Sequence, residues 1–280
     1  MRECLFLSTA IILLSTPRLL GGSTTAFQLG DQGGVIVRVM VNESGPFRML
    51  LDTGATHSAI TEHVAASIGA TPVARSTVIT PAGEMIRAIV AVDRIHLGPV
   101  TAENVLPSVV PTGAFDPEGK IQGLIGQDVL ARLRYTLNFK DRRVEWHADT
   151  PPQRGTTLPM AFEHGRFLVA LKQDRCILRL VPDSGSGALV LFDPVAGLSL
   201  DAAGGASMVE LISAQGARTA RHVRVTALRL GDRIMRDLPA VTIEPDGRHP
   251  AEGDGLLPLH LFERVTFDGP ARVLILGPER

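Results

Sequence analysis

Aromatic side chains are scarce in this chain: they make up 4% of its 280 residues, with one tryptophan and one tyrosine. That scarcity argues against an aromatic-lined platform for sugars or bases. Cysteine is nearly absent. Cys4 precedes the apolar stretch near the N-terminus, too early for a lipidated cysteine, and Cys176 stands alone in the remainder. An internal disulfide is therefore not expected once an N-terminal segment is removed, even where export would permit one. Cys176 falls in an apolar strand pattern and reads as a small core residue. Charge is balanced, 28 basic against 29 acidic residues, with no basic stripe, so nucleic-acid binding has no electrostatic support. The eight histidines show no metal-ligand spacing, and neither a metal nor a cofactor is expected. His57, His63 and His260 read as surface or supporting groups. A serine hydrolase is disfavoured because Asp183-Ser184-Gly185-Ser186-Gly187 lacks the first glycine of a nucleophile elbow. The longest apolar run, Leu5 to Leu14, is too short to span a bilayer, which takes about 20 residues.

That run follows Arg2 and precedes Pro17 and a series of small residues, the layout of a secretory signal over residues 1–26 with Thr24-Thr25-Ala26 as a candidate cleavage point. Export to the periplasm or medium is expected. The alternative is an uncleaved N-terminal membrane anchor.

Hydrophobic residues reach 45%, enough for substantial cores. The informative feature is a pair of triplets, Asp52-Thr53-Gly54 and Asp183-Ser184-Gly185, whose aspartates stand 131 residues apart. Gly34 and Gly165, each opening an apolar run upstream, also differ by 131. The turn glycines Gly83 and Gly216 differ by 133, and the apolar-Gly elements at Gly123 and Gly255 by 132. Four features in one order at nearly one offset mark an internal duplication. The expected organisation is a first lobe over 27–150, a linker over 151–158 containing Pro151-Pro152, and a second lobe over 159–280.

Strand signals dominate. Val35, Val37, Val39 and Val41 alternate with other residues, Glu43-Ser44-Gly45-Pro46 marks a turn, and Phe47 to Leu51 returns. Ile60, Val64, Ala65 and Ile68 fall at helical spacing before Gly69, and Val129-Leu130 opens a short helical stretch. An all-β fold with little helix is expected.

Two carboxylates held together suit hydrolysis without a metal. Like charges a few ångströms apart cannot both ionise, so one proton is shared. The ionised member takes a proton from water while the protonated member donates to a carbonyl oxygen. Asp52 and Asp183 are the candidate catalytic pair, with an acidic working pH expected. Thr53, Gly54, Ser184 and Gly185 are the candidate supports: the hydroxyls can bond backbone across the lobe junction, and the glycines allow sharp turning and close approach.

Leu50-Leu51-Asp52-Thr53-Gly54-Ala55-Thr56-His57-Ser58 together with Gly123-Leu124-Ile125-Gly126-Gln127-Asp128-Val129-Leu130 resembles a lobe of the retropepsin-like (retroviral-type) aspartic protease family. The whole chain resembles a fused two-lobe form, similar in plan to pepsin-like enzymes. The resemblance implies two β-barrel-like lobes, a dyad of Asp52 and Asp183, and a cleft for an extended peptide or unfolded protein. It also implies hairpin flaps at Pro81-Ala82-Gly83 and at Gln215-Gly216, and a monomer. The second lobe departs from the pattern at Pro182 before the aspartate, at Gly187 opposite Thr56, and at Pro258 in place of Gly126. Those departures keep two alternatives open: a catalytically silent peptide-binding protein, and a homodimer built on two copies of Asp52.

Overall fold

Alternating burial decides most of the chain, as period-2 sequences on a pleated strand require. The computed structural model describes residues 23–280 apart from 31–32, 81–82, 150–153, 193–197, 203–207, 214–215 and 244–252, with backbone alone at 78–80, 83–84, 202, 208–213 and 216–218. The first half runs β1 (Ser23–Leu29), β2 (Val35–Val41), β3 (Ser44–Leu51), β4 (Ala59–Thr61), α1 (Glu62–Ser67), β5 (Pro72–Thr80), β6 (Gly83–Val90), β7 (Val92–Leu97), β8 (Val100–Val105), β9 (Ser108–Val110), β10 (Gly123–Ile125), α2 (Gln127–Leu130), β11 (Arg134–Asn138) and β12 (Arg143–Trp146). The second runs β13 (Thr156–Glu163), β14 (Arg166–Lys172), β15 (Ile177–Asp183), β16 (Leu189–Phe192), β17 (Leu200–Ala202), β18 (Met208–Ser213), β19 (Gly216–Leu230), β20 (Arg233–Ile243), β21 (Gly255–Pro258), a 3₁₀ turn (Leu259–Leu261), β22 (Arg264–Asp268) and β23 (Val273–Leu276). The protein is all-β, as expected. One continuous set of buried apolar side chains, from Phe27 to Leu276, forms its main core.

The same strand arrangement occurs in each half. β3 pairs in parallel with β10, Leu51 opposite Ile125, and β4 closes on β10 antiparallel. β15 pairs in parallel with β21, Asp183 opposite Pro258, and β16 closes on β21 antiparallel. Both halves contribute to one antiparallel sheet ordered β1–β12–β11–β22–β23–β13. At its centre the Thr136 and Thr266 hydroxyls hydrogen-bond at 2.7 Å. Beside them Tyr135 stacks on Phe267 with ring centroids 5.0 Å apart.

Both expected segment limits fall inside strands. Ser23 to Ala26 pair with β12, and Phe27 to Leu29 pair with β2. Likewise Thr156 to Pro159 pair with β23, and Met160 to Glu163 with β14. The ordered fold therefore extends upstream of residue 27 and upstream of residue 159. Edge strands starting in polar residues such as Ser23-Thr24-Thr25 and Thr156-Thr157 resemble linker in composition, which is why their pairing is hidden in the sequence.

Two smaller readings also shift. The β2–β3 turn lies at Asn42-Glu43, whose φ angles of 44° and 68° are the left-handed pair of a two-residue hairpin. Ser44 to Pro46 are already strand. Cys176 sits in the turn before β15 and is half-buried rather than part of the core. The first helix follows its pattern. The Thr61 hydroxyl accepts from the Val64 N–H at 3.4 Å, and Gly69 at φ +63° ends the run.

Candidate active site

Each triplet begins where a strand of a parallel pair gives out. The Asp52 N–H donates to the Ile125 carbonyl at 3.0 Å, which fixes the first aspartate to β10. Asp52 Oδ1 accepts from the N–H groups of Gly54 (2.9 Å) and Ala55 (3.0 Å), and Asp183 Oδ1 accepts from the Gly185 N–H (2.7 Å). The two carboxyl groups hydrogen-bond each other. Residues 131 positions apart in sequence thus form one site.

The glycines matter through space rather than through φ, since neither Gly54 nor Gly185 takes a left-handed conformation. A Cβ on Gly54 would lie 2.6 Å from Asp183 Cγ, and one on Gly185 would lie 3.2 Å from Asp52 Cγ. Each glycine backs the opposite aspartate.

Thr53 and Ser184 tie the two turns together reciprocally. The Thr53 hydroxyl donates to the Pro182 carbonyl (2.7 Å) and accepts from the Ser184 N–H (2.9 Å). The Ser184 hydroxyl donates to the Leu51 carbonyl and accepts from the Thr53 N–H (3.1 Å). Both residues are buried. Pro182 takes part through its carbonyl, so its missing N–H does not weaken this set.

Burial raises the Asp52 carboxyl above its usual range, and N–H donation from Gly54 and Ala55 opposes the rise. Burial, then the Asp52 charge, pushes Asp183 up to about 8. Asp183 is 7% exposed while Asp52 is half-buried. Two carboxyls this close cannot both ionise freely, and burial and the neighbouring charge raise Asp183 the more. The Arg166 guanidinium, at the start of β14, further favours the charged form of Asp52.

Three further residues support the site beyond those expected from the sequence. Gln127 Nε2 donates to the Thr53 carbonyl at 2.7 Å. Asp128 Oδ1 accepts from both the N–H (3.0 Å) and the hydroxyl (2.8 Å) of Ser58, just past the first triplet. Arg166 stands at the position where the repeat offset puts Val35 in the first half, a charge replacing a core residue. The sequence signals were the polar pair directly after Gly126 and that substitution.

The departures of the second half have local counterparts. A Cβ on Gly126 would meet the His57 carbonyl carbon at 2.7 Å, a contact specific to the first half. At the matching position, Pro258 leads into the 3₁₀ turn and is buried. Gly187 leaves room for the Gly33 loop, where a Cβ on Gly33 would sit 3.4 Å from Gly187 Cα. Its counterpart Thr56 faces Gly165 in the same way: a Cβ on Gly165 would lie 3.4 Å from the Thr56 Cβ. His260 lies beside the Gly33 loop, half-buried, and burial lowers its pKa. His57 is exposed and contacts the Thr56 hydroxyl at 3.0 Å.

Of the anticipated flap residues, Pro81, Ala82 and Gln215 lie outside the described residues. The hairpins that would carry them are present: Thr80 pairs with Gly83 across β5–β6, and Ser213 with Gly216 across β18–β19. Among the described residues no cluster of three or more His, Cys, Asp or Glu side chains could hold a metal ion, and no helix is long and apolar enough to cross a membrane.

An all-β fold with two Asp-Thr/Ser-Gly turns meeting at a shared carboxyl pair has the plan of an acid protease. Comparison with known proteins agrees for the first half. Residues 37–129, about a third of the chain, match the family model described as "Aspartyl protease", so the retropepsin-like resemblance stands for that segment. A similar solved structure is a retropepsin-like aspartic protease from Rickettsia conorii, 21% identical over 45% of this chain and 90% of that one, with a TM-score of 0.33. No curated protein matches the chain.

Proposed function

We propose that the chain is an aspartic endopeptidase whose two halves act as lobes, with Asp52 and Asp183 as an intramolecular dyad. The observation that supports it best is the hydrogen-bonded carboxyl pair, each member backed by the other triplet's glycine. In this reading Asp52, half-exposed and with the Arg166 charge nearby, is the ionised member and takes a proton from the attacking water. Asp183 holds the proton and gives it to the carbonyl oxygen of the scissile peptide. Thr53 and Ser184 keep the carboxyls at fixed separation, which proton transfer in both directions requires.

The β5–β6 hairpin is the proposed contact for an extended substrate. Its residues 72–77 are exposed, and Val73 (58%), Met85 (40%) and Ile86 (70%) leave apolar surface uncovered. A hairpin with exposed apolar side chains suits strand-like addition of a peptide. Because the second carboxyl comes from the same chain, a monomer suffices. Export rests on the N-terminal apolar run alone.

The test is cleavage of an unfolded protein by the wild type, Asp52→Asn and Asp183→Asn across pH. Both variants are expected to lose about 10²- to 10⁴-fold in kcat/KM, the usual weight of positioned acid–base groups. Activity surviving Asp183→Asn but not Asp52→Asn would replace the reading with a homodimeric site. No cleavage by the wild type at any pH would favour the peptide-binding alternative. The pH profile has its own sign: as pH rises through about 8, Asp183 loses the proton it must donate, so the alkaline limb belongs near there. Activity is thus expected to reach into neutral pH, above the purely acidic range anticipated from two ordinary carboxylates.

A further inference from the structure

Two arginines face each other on the outer side of the first half, away from the β2–β3 core face. Arg38 on β2 is paired in register with Arg48 on β3. Like charges placed directly opposite on antiparallel strands repel and destabilise the pairing. Nothing among the described residues relieves them: neither guanidinium has an ion-pair partner, and the Arg48 Nε is buried without a hydrogen bond. Two acids near Lys120 are committed elsewhere. Glu118 pairs with Lys120, and Asp116 accepts from the N–H groups of Lys120 and Ile121. Lys120 itself feels the Arg48 charge, so a third cation adjoins the pair.

Both arginines line a pocket of about 270 Å³ whose other lining residues on this face of the sheet include Gln28 and Ile36. That volume is at the small end of ligand sites. A guanidinium presents two parallel N–H donors to a carboxylate or phosphate, and two guanidiniums side by side match an anion better than any neutral group. A buried donor without an acceptor is itself costly unless something fills it.

The geometry points to an anion-binding site at Arg38 and Arg48 that takes a small amphipathic phosphate or carboxylate, its charged head on the two guanidiniums and its short apolar tail against Ile36. The site is separate from the aspartate pair and does not depend on the peptidase reading. Its ligand chemistry fits either a soluble monoalkyl phosphate or the headgroup of an anionic lipid.

Calorimetric titration with hexyl phosphate, inorganic phosphate and hexanol tests it. Hexyl phosphate is expected to bind saturably and more tightly than inorganic phosphate, with hexanol giving no heat. Arg48→Gln and Arg38→Gln are each expected to weaken binding by about tenfold or more, the loss of one charge-assisted contact. A second readout needs no ligand: relief of repulsion means that neither variant melts below the wild type in phosphate-free buffer. Sedimentation with phosphatidylglycerol vesicles, lost in the double variant, would assign the headgroup as the source. Hexyl phosphate binding without sedimentation would assign a soluble anion. Absence of saturable binding, equal affinity in the variants, or a lower melting temperature in both would overturn the site.

Discussion

The two aspartate turns are alike in their backbone and unlike in what stands behind them. Behind Asp52 the support is polar: Gln127 reaches the Thr53 carbonyl, and Asp128 takes both donors of Ser58. Behind Asp183 the matching segment is Leu259-His260, where a buried leucine stands in place of Gln127 and the half-buried His260 bonds the Ser186 backbone. Both aspartates accept two backbone N–H groups, Asp52 from Gly54 and Ala55 and Asp183 from Gly185 and Ser186, but Asp52 is half-exposed and feels the Arg166 charge. The apolar side encloses its carboxyl and raises it to about 8. A shared site therefore becomes asymmetric without any change in the aspartates. In the proposed mechanism the proton goes to the half whose surroundings penalise charge more heavily.

Packing provides the strongest way to break that comparison. Gly54→Ala would drive a methyl to 2.6 Å from Asp183 Cγ, whereas Gly185→Ala would approach Asp52 Cγ at 3.2 Å. The first distance forces the carboxyl to move and the second asks for a few tenths of an ångström. Gly54→Ala is expected to lower kcat/KM by about 100-fold or more, since a 1 Å misplacement of a catalytic group has that effect. Gly185→Ala should lose much less. Equal losses would mean that the turns tolerate volume alike and that the asymmetry is electrostatic alone.

Stability against pH comes next. Asp183 has a folded pKa raised from 3.8 to about 8, so the folded state binds the proton more tightly than the unfolded chain does. The associated stability is fully present below the unfolded pKa and is lost as pH rises toward 8. Asp183→Asn removes the ionisation, so it should stabilise the protein at pH 7 while leaving pH 3 nearly unchanged. Asp52→Asn should stabilise less, because its interaction with Asp183 and the Arg166 charge already favour its ionised form. Thermal melts of both variants at the two pH values decide the matter. A larger gain from Asp52→Asn would reverse the assignment of the proton.

Where the two halves are reciprocal, their variants should match. Thr53→Val leaves the Ser184 N–H and the Pro182 carbonyl without their buried partner, and Ser184→Ala does the same to the Thr53 N–H and the Leu51 carbonyl. Each is expected to cost about 1–3 kcal/mol in denaturant unfolding. The double variant should cost less than the sum, because each deletion already breaks part of one shared set. Strict additivity would show that the four bonds act independently.

Much of this was legible in the sequence, and the reasons are local. The triplets, the apolar-Gly elements and the alternation at Val35–Val41 each carry their own signal within a few residues. The same holds for α1, whose cap Thr61 and stop Gly69 bracket the periodic positions. What escaped was nonlocal. Gln127 looks like an ordinary helix residue until the Thr53 carbonyl is placed beside it. Pro182 reads as a defect because its missing N–H is visible in the sequence while the use of its carbonyl is not. Gly187 reads as a lost hydroxyl, yet its place is against the Gly33 loop, which the sequence puts more than half the chain away. Cys176 was drawn into β15 by the apolar residues after it, although Asp174-Arg175 just before it already turn the chain.

The smallest effect concerns β1 and β13, which are the most alike of all. Each spends its first four residues on the sheet shared by both halves and its remainder on its own half. In β1 those four are Ser23 to Ala26, and the Trp146 indole N–H donates to the Thr25 hydroxyl at 2.9 Å. A chain beginning at Phe27 loses this strip, leaves β12 as a bare edge and exposes part of Trp146. A chain beginning at Ser23 keeps it. The shorter form is expected to be less stable by about 1–2 kcal/mol, from the lost hydrogen bonds and the partial exposure of one indole, with a shift in tryptophan emission as the direct readout. If export involves a cut, a stability gap of this size would put it at or before Ser23 rather than after Ala26. Equal melting and emission of the two forms would leave residue 26 as the boundary and make β1 and β13 differ where they now look the same.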